Sequence, residues 1–369
     1  MTIVVIDPAT NGIASLYLEA YLRDETRENI VAIGAYGARS DKIKKFFFKF
    51  TDLAPHGKQR FGMLRLPLRY LESFYGLSRT FVELVKIRPK AILYALSSNL
   101  FVEMLFILIC RIAFRNITIV CHDVVPFTQI YESHKFKSFQ RSIFYRLAKT
   151  LIVHNTRSIE ELNKGYNIRK DKIKYLPFPI MDLSNLNNEV ASESTGSVNC
   201  LFIGHLRREK GVDLLIDAWK SCSQRIPFSH LTIAGTIPVG VDLGDVSSLS
   251  NLTLKAEYIS DDEFVRLIHN ADVVIFPYRA GTNSGVLSNV VSLGKPVIVS
   301  DIDMFVQSGL VSEGSYFQTG NAEALAAKII EFSDLSDEER SARTMRVEAT
   351  ADKRTMEFTE SLDKLLHQL

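Results

Sequence analysis

Residues 271–301 read ADVVIFPYRAGTNSGVLSNVVSLGKPVIVSD, which is the pattern of one strand–helix–strand unit. Four consecutive apolar residues, 273–276, predict a parallel strand buried on both faces, and Pro277 ends that strand. Residues 286–293 have the apolar spacing of a helix and are followed by a glycine. A second apolar strand comes next, so the stretch predicts a parallel α/β sheet.

The loop between this strand and this helix, residues 279–285, is polar and contains two glycines. The predicted helix begins at Ser284 and Gly285, so free backbone N–H groups and the positive end of the helix dipole lie near the strand tips. Ligands of open parallel sheets bind at this edge, and an anionic group is the natural ligand. A tight connection that binds nothing is the alternative interpretation of this loop taken by itself.

A second loop of the same kind lies upstream. Residues 200–203 predict a strand, residues 204–211 read GHLRREKG, and residues 212–219 have helical spacing. Arg207 and Lys210 combine a forked donor with a point charge between two glycines, a combination that suits a diphosphate. Because two anion-binding loops project from one sheet edge, a ligand site is favoured over a solvated turn.

The composition is that of a globular protein with two domains of ordinary size, since 369 residues are 46% hydrophobic and 23% charged. The richest apolar run, residues 100–110, is shorter than the ~18 residues of a membrane span, so we expect no spanning helix. The first residues lead directly into a strand, and we expect no signal peptide. The four cysteines lack metal-ligand spacing and predict buried thiols in a reducing cytoplasm.

Charge divides the chain into two halves. Residues 1–180 hold 28 Lys and Arg against 15 Asp and Glu, whereas the remainder holds 16 against 27. This change coincides with the polar segment 182–197, which has the composition of a linker. We therefore expect a basic domain over residues 1–181 and an acidic domain over residues 198–351.

The basic half contains a run, residues 42–50, in which lysines are interleaved with phenylalanines. The wider segment 39–90 holds 13 basic residues against four acidic ones. Lysines neutralise anionic lipid at ~1 kcal/mol each while aromatic rings settle at the headgroup level, so the run predicts attachment to an anionic membrane surface. A solvated basic face is the alternative, and a nucleic-acid partner is not expected. The predicted membrane-binding residues are Lys42, Lys44, Lys45, Phe46, Phe47, Phe48 and Lys49.

The first domain has a strand–helix series of its own. Strands are predicted at residues 3–6, 30–35, 91–96, 117–121, 151–154 and 173–176, with helices at 13–22, 100–114 and 135–149. Gly12, in the first turn, would let the backbone approach a ligand closely, or it is a plain turn glycine. His122 and Asp123 directly follow a buried strand, at the edge where open sheets bind ligands. A structural hydrogen-bonding role is the alternative for His122.

These motifs resemble those of the glycosyltransferases of family 4. The similarity is carried by FIGHLRREKGVDLLIDAW (202–219), AEYISDDEF (256–264) and the stretch 271–301, in that family's order and spacing. The resemblance implies a GT-B architecture, in which two Rossmann-like α/β domains with parallel sheets face a central cleft. It also implies that a C-terminal helix, 352–369, joins the first domain, and that sugar transfer retains the anomeric configuration.

The resemblance implies roles for individual residues as well. Arg207 and Lys210 would hold the donor diphosphate, and His122, with Asp123 beside it, would lie next to the reacting sugar. Typical members carry two glutamates where this chain has Gly281 and Asn289. The chain is similar to a branch with a Thr-x-Ser-Gly loop, in which other groups take over these contacts. The residues that this branch and the first turn would bring to the donor and acceptor are Gly12, Thr282, Asn283, Ser284, Gly285 and Val286.

We therefore expect a hexosyltransferase that moves a sugar from a UDP- or GDP-linked donor to a lipid-linked or membrane-proximal glycan acceptor in cell-surface polysaccharide biosynthesis. No cofactor beyond the nucleotide sugar is expected, and no metal. The expected location is the cytoplasm, at the inner face of the plasma membrane. A catalytically inactive GT-B relative that serves as a binding or scaffold protein is the alternative, and a sugar-nucleotide epimerase of GT-B shape is a third possibility.

Overall fold

The structure is a computed structural model in which the chain forms two compact units. The first unit comprises residues 1–181 and 357–369, and the second comprises residues 182–356. The residues that the structure describes are 2–9, 12–23, 29–47, 65–95, 100–122, 124, 135–183, 197–238, 241, 243–244, 246, 249 and 251–369. The predicted linker therefore lies largely outside the described residues.

The first unit is built on a seven-stranded parallel sheet with the strand order β3-β2-β1-β4-β5-β6-β7. Its strands are β1 (Ile3–Ile6), β2 (Ile30–Ala35), β3 (Ile43–Phe47), β4 (Ala91–Ala95), β5 (Ile117–Cys121), β6 (Thr150–Val153) and β7 (Ile173–Tyr175). The central strands are buried on both faces, as their unbroken apolar runs predict.

The described helices of the first unit connect these strands. They are α1 (Leu16–Ala20), α2 (Arg65–Ile87), α3 (Leu100–Phe114), α4 (Lys135–Leu147) and α5 (Thr156–Glu160). The crossovers from β3 to β4, from β4 to β5 and from β5 to β6 all advance in one direction along the sheet. Right-handed crossovers therefore place α2, α3 and α4 on the same face, and α3 packs against both of the others.

The second unit contains a six-stranded parallel sheet with the order β10-β9-β8-β11-β12-β13. Its strands are β8 (Asn199–Ile203), β9 (His230–Ala234), β10 (Leu252–Lys255), β11 (Val273–Phe276), β12 (Val297–Ser300) and β13 (Tyr316–Phe317). Its helices are α6 (Val212–Cys222), α7 (Asp261–His269), α8 (Gly285–Ser292), α9 (Asp303–Val306) and α10 (Ala322–Ser333). A last helix, α11 (Asp337–Gln368), begins in this unit and ends in the first.

The predicted α/β fold is confirmed, because both sheets are parallel and the predicted strands lie in them. The order around β8 and β1 shows why those strands are so apolar: each lies inside its sheet with a strand on both sides. The sequence interpretation did not identify strand β3 or the long helix α2. The sequence interpretation missed β3 because its lysines hide the apolar pattern of a strand. Ile43 and Phe47 nevertheless lie on the same side of this strand and face the core.

Candidate functional site

The loop after β8 carries Arg207 and Lys210 and has a backbone that only glycine permits at its last position. Gly211 has φ +68, and a Cβ atom added there would lie 1.9 Å from the carbonyl oxygen of Pro277. This contact holds the loop against the end of β11, where the second predicted loop begins. The two anion-binding loops are therefore adjacent in the second unit, as their common sheet edge predicts.

Lys210 reaches from the first loop to a residue of the second. Its Nζ lies 3.7 Å from the centroid of the Tyr278 ring, which is buried just after β11. The electron-rich ring face attracts the ammonium group and fixes its position. A cation held in this way is suited to a polyphosphate.

Arg279 joins the same two loops by hydrogen bonds. Its guanidinium donates to both carboxylate oxygens of Asp213, at 2.6 and 2.9 Å, and to the Arg208 carbonyl oxygen at 2.8 Å. Its backbone N–H donates to the Glu209 carbonyl oxygen at 2.8 Å. Although burial alone would raise it, the pKa of Asp213 is below its ordinary value because of this guanidinium. Sequence reasoning missed this pair, and the only signal was an arginine at the start of the loop that follows the predicted strand.

Helix α8 begins where the sequence predicts. Ser284 is its N-cap, and its hydroxyl accepts a hydrogen bond from the Leu287 N–H at 3.2 Å. Gly285 and Val286 form the first turn, where N–H groups have no carbonyl partner within the helix. Thr282 and Asn283 precede the cap and are partly exposed. The loop therefore offers hydroxyl and amide groups beside the positive end of a helix.

The two positions at which typical family 4 members carry glutamate have different surroundings here. A Cβ atom added at Gly281 would lie 2.8 Å from the Met304 sulfur, so Met304 occupies the space of a longer side chain. Asn289 is buried in α8, and within the described part of the chain its Oδ1 has no hydrogen-bond partner. A buried acceptor of this kind is costly unless a ligand donor satisfies it.

In the first unit, His122 lies at the end of β5, among polar residues that follow other strands. Its Nε2 is 3.7 Å from an oxygen of the buried Asp7, which follows β1. Its ring packs edge-to-face on Tyr17, with the centroids 4.6 Å apart, and lies 5.4 Å from the ring of His154, which follows β6. The carboxyl ends of three strands thus bring these side chains together, and Asp123 lies outside the described residues.

His154 anchors this cluster by a chain of hydrogen bonds. Its Nδ1 lies 2.9 Å from the Leu176 carbonyl oxygen, which can only accept, so Nδ1 carries the proton. Its Nε2 therefore accepts from the Tyr17 hydroxyl at 3.0 Å, and that oxygen accepts from the Tyr21 hydroxyl at 2.8 Å. Burial, and then the neighbouring His122, lowers the pKa of His154 to about 3. The His154 ring is neutral at physiological pH. It therefore serves to position Tyr17 and brings no positive charge to the cluster.

Gly12 lies in the turn after β1 with φ 54. Its N–H donates to the Gly37 carbonyl oxygen at 2.9 Å, and its own carbonyl oxygen accepts from the Ser15 hydroxyl at 2.7 Å. Both polar groups of its backbone are therefore engaged within the chain.

The predicted membrane-binding run requires a correction. Phe47 is only 5% exposed and packs in the first core, and Phe46 lies beneath the guanidinium of Arg79 at 4.7 Å. Lys44 pairs with Glu83 on α2. The prediction that Phe47 inserts into lipid is wrong, because β3 is an edge strand that needs this ring to seal the sheet against α2. Phe48 and Lys49 lie outside the described residues, whereas Lys42 and Lys45 lie on the strand or beside it.

Spanning helices and metal sites are both missing from the described part of the chain. No helix there combines the length and the apolar character that crossing a membrane requires. No three His, Cys, Asp or Glu side chains there converge to form a metal site.

Comparisons with known proteins agree on the fold. Residues 197–334 match the family model described as Glycosyl transferases group 1, which covers both anion-binding loops. A search of curated protein sequences found no significant match. Among solved structures, the chain is similar to HepE from Anabaena in complex with UDP-glucose, with a TM-score of 0.65 and 16% identity over 100% of both chains.

Two other solved structures give the same result. One is a glycosyltransferase from Rickettsia africae, with a TM-score of 0.66, 14% identity and coverage of 99% of this chain and 97% of that one. The other is a sucrose-phosphate synthase from Thermosynechococcus elongatus, with a TM-score of 0.66 and 15% identity over 100% of both chains. The two parallel-sheet α/β domains of this chain therefore have the fold of the GT-B glycosyltransferases.

Proposed function

We propose that the protein is a glycosyltransferase of family 4 that uses a nucleotide-diphosphate sugar. The observation that carries this proposal is the meeting of Lys210, held on the Tyr278 ring, with the loop that opens α8. Cationic side chains and helix amides at one sheet edge complement the charge of a diphosphate. The family model covers the same residues, and the similar HepE was solved in complex with UDP-glucose.

Arg207, Lys210 and the first amides of α8 would act on the leaving group. When the bond between the anomeric carbon and the diphosphate oxygen breaks, negative charge develops on that oxygen. Preorganised donors that face this charge lower the barrier, and this is the part of catalysis that a metal ion supplies in other enzymes. Asn289 adds a buried acceptor for a hydroxyl of the donor. We propose that the reaction retains the anomeric configuration, as the family resemblance implies.

The first unit would contribute His122 near the reacting sugar. Tyr17, which is hydrogen-bonded to His154, packs against the His122 ring and holds it in place. Asp7 lies close to Nε2 of His122. A histidine that can hydrogen-bond a sugar hydroxyl or orient the acceptor needs such fixed surroundings. The basic charge of this half supports a lipid-linked glycan as acceptor, at the cytoplasmic face of an anionic membrane.

The direct test is an assay of the purified protein with a panel of UDP- and GDP-sugars and a lipid extract. We expect transfer of one sugar into the lipid fraction and release of the nucleoside diphosphate. Conversion of the donor without acceptor would instead indicate an epimerase.

A second function is favoured by one observation. Gly281 and Asn289 replace the usual glutamates, which fits a catalytically inactive relative that serves as a scaffold. Calorimetric titration with UDP and GDP separates the two functions. A protein that binds neither nucleotide would fit the scaffold, whereas binding that depends on Arg207 supports the enzyme.

A further inference from the structure

Helix α3 is apolar on its outer side as well as on the side that faces the core, and its two charged residues are Glu103 and Arg111. Its inner side packs Phe106, Ile107 and Cys110 against the sheet. Its outer side exposes large apolar side chains at the spacing of one helix face, with Ile112 at 74% and Phe101 at 60% exposed. The other exposed apolar residues on this side are Leu105, Leu108 and Ile109. A helix that is hydrophobic all round is normally covered on all sides.

The neighbouring helices extend this surface. Helix α2 adds exposed large side chains of its own, and the Phe81 and Phe114 rings join the two helices at 6.1 Å. Helix α4, on the other side, exposes Phe139. The apolar helix face consists of Leu71, Phe74, Tyr75, Val82, Val85, Phe101, Leu105, Leu108, Ile109, Ile112 and Phe139. Exposed apolar surface that continues over three helices marks an interaction site.

The charged residues at one end of this face indicate the sign of the charge on its partner. Helices α2, α3 and α4 run in the same direction, since each connects parallel strands, so their carboxyl ends lie at one edge. Segments 86–90, 111–116 and 146–149 at these ends contain no acidic residue. Their basic residues are Lys86, Arg88, Lys90, Arg111, Arg115, Arg146 and Lys149, which we term the basic rim.

We propose that the apolar helix face and the basic rim together bind the surface of an anionic lipid bilayer. Apolar side chains enter the headgroup region and the rim neutralises lipid charge, two contributions that give stable attachment only in combination. This surface replaces residues 42–50 as the principal contact. It extends the proposed function, since a lipid-borne acceptor would lie on the same membrane, but it rests on the surface residues alone.

The basic rim also argues against a second copy of the chain as the occupant. In a two-fold symmetric contact each copy presents the same face, so the basic rim of one copy meets no acidic counterpart of that rim on the other. Electrostatic complementarity favours a partner of opposite charge. A bilayer, in contrast, accepts side chains of any shape and supplies the opposite charge.

The first test places a fluorescent label in the apolar helix face. All four native cysteines are buried, and burial raises the pKa of the Cys110 and Cys121 thiols to about 12, so an added exposed cysteine reacts selectively. Ile112→Cys is labelled with the environment-sensitive dye NBD and mixed with phosphatidylcholine vesicles, with or without phosphatidylglycerol. We expect a blue shift and an intensity gain with the anionic vesicles.

The label at Phe228→Cys is the matched control. Phe228 is 82% exposed and belongs to the second unit, so it is not part of the apolar helix face. We expect no blue shift there. A shift of equal size at both positions, or none at Ile112→Cys, would overturn the proposal.

The second test separates the apolar and the charge contributions by vesicle co-sedimentation. Leu105→Glu combined with Ile112→Glu, and separately Lys86→Glu combined with Arg146→Glu, should each reduce partitioning into anionic vesicles at least about tenfold. Phe228→Glu should bind like the wild type. All variants change exposed side chains, and circular dichroism checks that they remain folded.

Sedimentation velocity without lipid completes the test. A stable dimer that the paired Leu105→Glu and Ile112→Glu changes abolish would assign the face to a second copy and overturn the proposal. The proposal would also be overturned if none of these variants changed the partitioning into vesicles. Because no sugar donor is present, loss of vesicle binding is distinguishable from failure of the proposed transferase activity.

Discussion

Lys210 and Arg207 are the residues whose removal tests the donor site most directly. Lys210→Ala removes the cation held on Tyr278, and Arg207→Ala removes the forked donor of the same loop. We expect each to lower sugar transfer by about 10²-fold or more, because the charge that develops on the leaving diphosphate loses a preorganised partner. Transfer rate and calorimetric nucleotide affinity are the measurements.

Arg208→Ala is the control for both variants, since this neighbouring arginine is exposed and contributes only its backbone carbonyl to the Arg279 contact. It should retain nearly normal activity. If Arg207→Ala or Lys210→Ala were as active as Arg208→Ala, the diphosphate assignment would fail.

His154 makes the stability of the first unit depend on pH. Its folded-state pKa is about 3, below the ordinary value of 6.5, so the unfolded chain binds the extra proton between these values. The neutral ring's contribution is complete above pH 6.5 and is lost as the pH falls toward 3. The free energy of unfolding should fall by up to ~1.4 kcal/mol per pH unit within this window.

His154→Gln removes the titrating group but keeps an acceptor for the Tyr17 hydroxyl. The thermal unfolding midpoints of the variant and the wild type are measured from pH 7 to pH 4. The difference between the two midpoints should become smaller as the pH falls. Parallel pH curves would show that His154 is not buried as a neutral ring.

At the scale of elements, the contact between the β8–α6 loop and the end of β11 decides whether the donor site forms. Gly211→Ala would place a methyl group 1.9 Å from the Pro277 carbonyl oxygen, a backbone atom that cannot rotate away. We expect a lower thermal midpoint and a marked loss of nucleotide affinity, because the two loops must separate.

Gly320→Ala is the matched control for this change. Gly320 also has a positive φ, +78, but a Cβ atom there would meet nothing within 4 Å. Gly320→Ala should lower the free energy of unfolding only by the strain of a left-handed alanine, ~1–2 kcal/mol, and leave nucleotide binding intact. Equal effects of the two variants would show that strain, and not the contact between loops, sets the outcome.

At the scale of the whole molecule, one side chain reports on one unit. Trp219 is the single tryptophan, is fully buried in α6, and donates to the Asn251 side chain at 3.2 Å. Its fluorescence therefore follows unfolding of the second unit. A nucleoside diphosphate at a concentration about 100 times its dissociation constant should stabilise this transition by about 2.7 kcal/mol.

The Arg207→Ala variant should lose this nucleotide-dependent shift while its unliganded midpoint stays normal. A shift in circular dichroism without one in tryptophan fluorescence would place the nucleotide in the first unit and contradict the proposed donor site.

Much of this architecture was predictable because both sheets are parallel. Strands covered on both faces must be apolar throughout, so β1, β5, β8 and β11 appear as unbroken apolar runs. The cap at Ser284 was predictable for a local reason, since its hydroxyl satisfies an N–H group in the first turn of its own helix. These features depend on residues adjacent in the chain, and the sequence alone determined them, whereas the GT-B fold was implied by the family resemblance of the motifs.

Only the tertiary structure decided which distant residues meet. Asp7, Tyr17, His122 and His154 come from separate segments, and parallel strand order brings them to one edge. The tertiary structure likewise buries Phe47 in the core and leaves the outer side of α3 exposed. Periodicity shows that a helix face is apolar, but whether another element covers that face depends on the packing of neighbouring elements, which no local pattern encodes.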